Sequence, residues 1–242
     1  MTRCKTQSVR VCLLLLTAVW FALPARAQDY QRGYIGLDAG ETRDKFGGVS
    51  PVTGFEGGVD GEFALFKNVE KKGTPDLVIG GEIRFPSNTQ EHSTEFAGYA
   101  GPKFAAGSHW DIGFHIQVRK LFVPPGQLGG VAFSRDKMLM LELPFVVEYK
   151  FGPALHAFVQ LQVSPEFSPR LRATTDQPPV LPDPSFDYGY SGRATVGYSL
   201  GKWYVKGTYQ SRYLKFKQDL GNPNELYNWR ATQITGGVGV IF

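Results

Sequence analysis

Cysteine is nearly missing from this chain: there are two in 242 residues, Cys4 and Cys12. The body of the protein therefore has no thiols for a disulfide framework, a thiolate nucleophile or a cysteine-built zinc centre. Histidine is scarce too, and His92, His109, His115 and His156 show no metal-ligand spacing among themselves. Long hydrophobic runs are also lacking. The longest, residues 11–23, is about 13 residues, short of the roughly 20 that cross a bilayer as a helix. Any membrane span must then be made of strands.

That one apolar run follows Arg3, Lys5 and Arg10 and precedes Ala25-Arg26-Ala27, a small-x-small cleavage pattern. The arrangement predicts an export signal over residues 1–27, cleaved after Ala27, so that Gln28 begins the mature domain of residues 28–242. Cleavage would remove both cysteines. It would also remove four of the 26 basic residues and none of the 22 acidic ones, leaving 22 of each. The basic character of the whole chain belongs to the leader, and nothing remains to indicate a nucleic-acid partner.

What is present is alternation. In residues 228–242, Thr232, Ile234, Val238, Val240 and Phe242 share one parity, while Gln233, Thr235, Gly237 and Gly239 share the other. A period of two gives a strand with one apolar and one small or polar face. The same pattern predicts strands over 34–41, 55–65, 76–85, 95–104, 110–119, 138–151, 155–163, 186–200 and 203–213. The total is ten, or eight if the glycine-rich first two fail. Pro144, inside the sixth, predicts a bulge or a gap in the ladder. Connections alternate between short (105–109, 152–153, 201–202) and long (86–94, 121–137, 164–185, 216–227), as periplasmic turns and external loops do in outer-membrane barrels. The loop 164–185 is proline-rich and predicted to lack regular structure.

Aromatic residues fall into two belts on the apolar face, which is how they gather at the two interfaces of a membrane. Phe104, Trp110, Tyr149, Phe151, Tyr198 and Trp203 lie at the short-turn side, and Tyr188, Tyr190, Tyr209 and Tyr213 at the long-loop side. Ten strands with about five bulky apolar residues each cannot all point into a small barrel, whose interior at eight strands is already filled by side chains. They must face lipid. The expected fold is thus all-β, one closed antiparallel up-and-down transmembrane barrel; the alternative, a soluble barrel binding an apolar ligand, would turn the same faces inward.

The leader, the amphipathic glycine-rich strands, the short turns and the closing Val238, Val240 and Phe242 resemble the small bacterial outer-membrane β-barrel proteins of the OmpA-like and opacity-type group. That resemblance implies a Gram-negative outer-membrane location among lipid and lipopolysaccharide. It also implies a C-terminal signal read by the barrel-assembly machinery, a monomeric state, and long loops free for an extracellular partner that no motif identifies.

The polar face carries Glu56, Asp60, Glu62, Glu82, Arg84, Lys103, His115, Arg119, Glu142, Glu148, His156, Arg193, Lys206 and Arg212. Charges inside a barrel must be paired or solvated, so this face is either a packed network or a narrow ion path. Ten strands fall well short of the 16–18 that leave an open aqueous channel. His92 and His109 read as solvated loop and turn residues. His115 and His156 flank Glu142 and Glu148, but no serine is placed for attack. The Asp pair and Asp-His pair at close spacing that omptin-type proteases use are not found. The expectation is a barrel without catalysis, cofactor or metal, in a structural, surface-interaction or narrow-pore role. An outer-membrane hydrolase with an unrecognised site remains the alternative.

Overall fold

The computed structural model describes residues 33–46, 51–66, 75–89, 92–123, 126–128, 131–133, 136–151, 156–167, 185–217 and 226–242. The expected leader with Ala25, Ala27 and Gln28 lies outside them, as do residues 152–153, the three lysines of 67–72 and most of the proline-rich segment 164–185.

Ten antiparallel strands close into a barrel: β1 (Gly33–Phe46), β2 (Val52–Phe66), β3 (Asp76–Pro86), β4 (Thr94–Ala106), β5 (Trp110–Phe114 continued by Ile116–Val123), β6 (Asp136–Glu142 continued by Phe145–Lys150), β7 (Ala157–Phe167), β8 (Ser185–Leu200), β9 (Trp203–Lys217) and β10 (Leu226–Ile241). Each pairs with its sequence neighbours, and β10 returns to β1. At that seam Gly33 and Phe242 exchange backbone hydrogen bonds of 3.0 Å in both directions, and the Phe242 ring packs 5.4 Å from Phe63. Between β5 and β6 a small hairpin forms, Gly126–Leu128 against Val131–Phe133.

Pairing runs unbroken around the barrel. From Tyr34 the partners lead through Glu62, Gly80, Tyr99, Gln117, Glu142, Glu166, Gly189, Leu214 and Trp229 back to β1 at Phe46, twelve residues further on. A shear of twelve over ten strands tilts them by about 40°, within the usual range for closed barrels.

The breaks in β5 and β6 are one event. Pro144 has no N–H to give, yet its carbonyl accepts from His115 N at 2.9 Å, and Leu143 N reaches Pro165 O at 3.2 Å. Phe114 opposite Phe145 and Gln117 opposite Glu142 keep a single register across the break. It is a ladder gap without a slip, so side-chain facing is preserved on both sides.

Several strands run further toward the long-loop side than alternation indicated. β7 does not stop at 163 but reaches Phe167, and it begins after His156. β9 continues to Lys217 and β1 to Phe46. The extension brings Asp44 and Glu166 into the barrel wall, facing inward.

At mid-depth the outer face is apolar. Ile116 is 63 % exposed and Ile234 60 %, and Leu139, Leu161, Val163 and Val196 lie open in the same way. No water-soluble surface carries a continuous band of this kind; it is the lipid-facing surface of a transmembrane barrel. Aromatics cap the band at both ends. Trp110 and Phe151 pack on Tyr149, tilted and edge-on, with ring centres 4.6 and 5.0 Å away near the short turns, with Tyr198 and Trp203 exposed alongside and Phe104 partly covered. Tyr188 and Tyr190 pack on Tyr213 at 6.0 and 5.4 Å on the opposite side, with Tyr209 below them. Ile116 pairs with Ala100, midway between Phe96 and Phe104 on β4. Ile116→Arg should therefore cost about 2–4 kcal/mol of folding stability in bilayers, and Leu200→Arg, beside a short turn, about 0–1. Urea titration of the barrel refolded into vesicles would check the difference, and equal costs would contradict the assigned depth.

Candidate functional site

The inward face divides into three levels along the barrel axis. Nearest the long loops it is apolar. Leu121, Met138, Met140, Leu214, Phe216, Trp229 and Ala231 form a buried cluster inside the barrel, each at most 4 % exposed, with Phe186 packed against it. These positions share the parity of the charged face on their strands, so the lumen is not polar throughout.

Below that cluster lies a layer of ion pairs. Arg119 on β5 meets Glu142 on β6 at 2.6 Å, Glu95 on β4 at 2.7 Å and Glu82 on β3 at 2.6 Å. Arg212 on β9 meets Glu166 on β7 at 2.9 Å and Glu95 at 3.0 Å. Arg84 on β3 reaches Asp38 at 3.3 Å and Glu56 at 3.5 Å, and Gln233 donates to Glu56 at 3.1 Å. Arg193 on β8 binds Glu82 on β3 at 2.5 Å and also Gln210. Two of these contacts have particular reach. β4 and β9 stand on opposite walls of a ten-stranded barrel, as do β3 and β8, so Arg212–Glu95 and Arg193–Glu82 bridge the lumen. Guanidinium forks suit this work because each can satisfy two or three carboxylates in a plane. Burial is close to complete: Glu142 and Glu95 are 0 % exposed, and Arg119 and Arg212 1 %.

Toward the short turns the lumen opens into a cavity of ≈ 540 Å³, lined among others by Asp60, Glu62, Lys103, Glu148, Lys150 and Lys206. Lys206 binds Asp60 at 2.5 Å. Lys103 lies between Glu62 at 3.3 Å and Glu148 at 3.6 Å. Tyr99 donates to Glu62 at 3.0 Å, and the His115 ring stacks on Tyr99 at 4.9 Å. The cavity extends from Arg84 and Arg193 down to Gly33, Phe151 and Ile241 beside the short turns.

Of the fourteen lumen residues named from the sequence, the structure brings thirteen together in these two polar levels. His156 stands apart. It precedes β7 with a φ of 48°, exposed at the mouth of the cavity, and its carbonyl accepts from Ser199 N. His115 and His156 thus do not flank a common glutamate. His92 departs from expectation as well. It is 0 % exposed, and its Nδ1 lies 2.8 Å from Asp44 Oδ2, while the other Asp44 oxygen accepts from Trp229 Nε1 at 3.0 Å. Gly54 gives it space, since a methyl there would collide with the imidazole. His109 is a turn residue, partly exposed, stacked on Tyr149.

The alternation reading missed Glu95, Glu166, Asp44 and His92. Glu95 has the parity of Tyr99 and Lys103, so the signal was present. Glu166 lay hidden behind Pro165 in a segment read as loop.

No protein-family model matches the chain, and no curated protein matches it. Among solved structures, the chain is similar to Neisserial surface protein A, with 14 % identity over 87 % of this chain and 97 % of that one and a TM-score of 0.39. It is similar to the outer membrane protease OmpT from Escherichia coli, with 10 % identity over 91 % and 99 % and a TM-score of 0.44. It is also similar to the KdgM porin, with 10 % identity over 86 % and 99 % and a TM-score of 0.39. The identification rests on the barrel's own geometry: ten closed strands, an apolar outer band between two aromatic belts, and short turns on one side make this an outer-membrane β-barrel protein embedded in membrane lipid.

Proposed function

We propose that this protein is a sealed, non-catalytic barrel whose work is done at its outer surface and external rim, not by passage through its lumen. The supporting observation is the pair of wall-to-wall contacts, Arg212–Glu95 and Arg193–Glu82, within a layer whose members other than the half-buried Arg193 are almost fully buried. An ion crossing this level would have to part carboxylates from guanidiniums in a low-dielectric interior, where each broken pair leaves uncompensated charge. Above it the side chains of Met138, Met140, Leu214 and Trp229 present an apolar barrier, and the carboxylate beside them, Asp44, is already held by Trp229 and His92. Both layers oppose the narrow-pore reading. At the buried Asp44–His92 pair no hydroxyl among the described residues is hydrogen-bonded to His92 Nε2, and Ser93 Oγ turns to Glu95 instead, which weighs against that pair serving a hydrolase. Insertion as a monomer through the barrel-assembly machinery, with lipopolysaccharide around the rim, completes the reading.

The test is electrical. The purified full chain reconstituted into planar bilayers should give no steady single-channel current across ±100 mV. A reproducible ion-selective conductance that disappears on mild heating of the protein in SDS would refute the sealed reading.

A further inference from the structure

Long side chains with positive charge occupy an unexpected place on the outside of the barrel seam. Arg43 and Lys45 on β1 and Arg230 on β10 all point outward and are exposed. Lys45 lies directly opposite Arg230 in the β1–β10 ladder, and Arg43 is two residues from Lys45 on the same face. The row beneath is made of Glu41, Ile234 and Tyr209, so the three cations stand just beyond the outer aromatic belt. Arg230 lies over the Tyr213 ring, 5.2 Å from its centre. Like charges directly across a ladder destabilise the pair of strands, and here a third cation lies diagonal to them.

No carboxylate of the described residues relieves the cluster. Asp44, between Arg43 and Lys45, faces inward and is held by His92 and Trp229. Asp187, on the neighbouring stretch of wall, is taken by Lys217 at 2.8 Å and Lys215 at 3.4 Å. Glu41 shares the face with Arg43 but forms no ion pair among the described residues. The other outward neighbours, Thr53 and Thr232, are hydroxyls that can donate to an anion. Three cations at the height where lipid tails give way to headgroups, on the side of the long loops, call for a polyanion that also has acyl chains to lie on Ile234 and Tyr209.

We propose that Arg43, Lys45 and Arg230 form a binding site for the phosphate groups of an outer-leaflet glycolipid, with the acyl chains packed down the β10–β1 seam. The guanidinium forks of Arg43 and Arg230 suit bidentate phosphate contacts, and the flexible stem of Lys45 brings a point charge between them. A singly charged phospholipid would leave two of the three cations unmatched, which is why the site selects a multiply phosphorylated headgroup. The assignment goes beyond the sealed-lumen reading and stands whether or not the lumen conducts.

Native mass spectrometry of the full chain in detergent, titrated with lipid A bearing two phosphates, tests it. The unaltered protein should retain the lipid, and R43A/K45A/R230A should weaken retention by roughly tenfold or more, the size expected when charge-assisted contacts are lost. Dephosphorylated lipid A should be held equally weakly by both. All three positions are outside the packed lumen, so the variant should still show the heat-dependent gel shift of a folded barrel. If it does not, R43Q/K45Q/R230Q replaces it. Equal retention of diphosphorylated lipid A by a folded variant and the unaltered chain would overturn the site. Equal retention of phosphatidylglycerol and lipid A by the unaltered chain would overturn its selectivity for a polyphosphorylated headgroup. Complete displacement of lipid A by millimolar inorganic phosphate would reassign it to a free anion.

Discussion

Arg119→Ala is expected to lower folding stability by about 3–5 kcal/mol, the cost of breaking a buried ion pair from one side. The reason is not the loss of one strong contact. Among the described residues Glu142 has two cations within ion-pair distance of its Oε1, Arg119 at 2.6 Å and Arg212 at 3.6 Å, and Arg119 shares Glu82 and Glu95 with other arginines. Its removal leaves three carboxylates 0–5 % exposed with part of their compensation gone. Arg119→Lys keeps the charge but loses the fork, which cannot then reach three partners at once, so its cost should fall between those of alanine and the native residue. Lys150→Ala is the control. Lys150 also binds a carboxylate, Asp111, at 2.5 Å, but its side chain is 51 % exposed, and an exposed pair is worth no more than about 1 kcal/mol. Urea titrations in the same vesicles would rank the three. If Arg119→Ala cost no more than Lys150→Ala, the layer would be solvated in the membrane, and the sealed lumen with it would be abandoned.

The contrast bears on what such a layer is for. A barrel could fill its interior more stably with apolar side chains of equal volume, because desolvating charges consumes most of what their attraction returns. Here three cations reach across strands that are distant in sequence: Arg212 to Glu95, Arg193 to Glu82, Lys206 to Asp60. Pairs of that kind exist only when all ten strands are in register. An ion layer of this form penalises a slipped or eight-stranded closure, where an apolar filling would tolerate either.

Much of this was legible from alternation. Period-two patterning placed the ten strands and their facing, because a lipid-facing wall requires every second residue to be apolar with no exceptions near mid-depth. Leu161, Ile116 and Ile234 are examples. Pro144 announced the ladder gap. The pattern weakened where that requirement lapses. Above the outer belt, lipid no longer dictates one face, so the strand ends were cut short at Glu41, Val163 and Tyr213, and Asp44, Glu166 and Phe216 were left outside. Pro165 looked like a loop residue, yet its missing N–H falls in the same interruption as that of Pro144, and β7 continues past it. In residues 138–141 both faces are apolar, Met138 and Met140 inward and Leu139 and Leu141 outward. Such a run has no period to read, and the buried apolar cluster went unseen.

That cluster supplies the second large effect. Trp229 is 2 % exposed, lodged among the apolar side chains above the ion layer, and its Nε1 donates to Asp44 Oδ1 at 3.0 Å. Trp229→Ala should cost about 3–5 kcal/mol, the range for emptying a large aromatic site in a packed interior. Trp229→Phe separates the two contributions: it keeps most of the apolar volume and deletes the N–H. Asp44 would then lose one of its two side-chain donors while His92 remains, and a loss of about 1–3 kcal/mol follows from an under-satisfied buried acceptor. Thermal gel-shift midpoints, with the fraction of heat-modified barrel followed against temperature, would order native above Phe above Ala. If Phe and Ala fell together, the hydrogen bond to Asp44 would account for the whole effect and the cluster would be loosely packed. If Phe matched the native residue, the Asp44–His92 pair would hold the outer rim without help from β10. With the expected order, the outer end of the lumen is closed by packing and by a buried polar anchor together, and neither alone suffices.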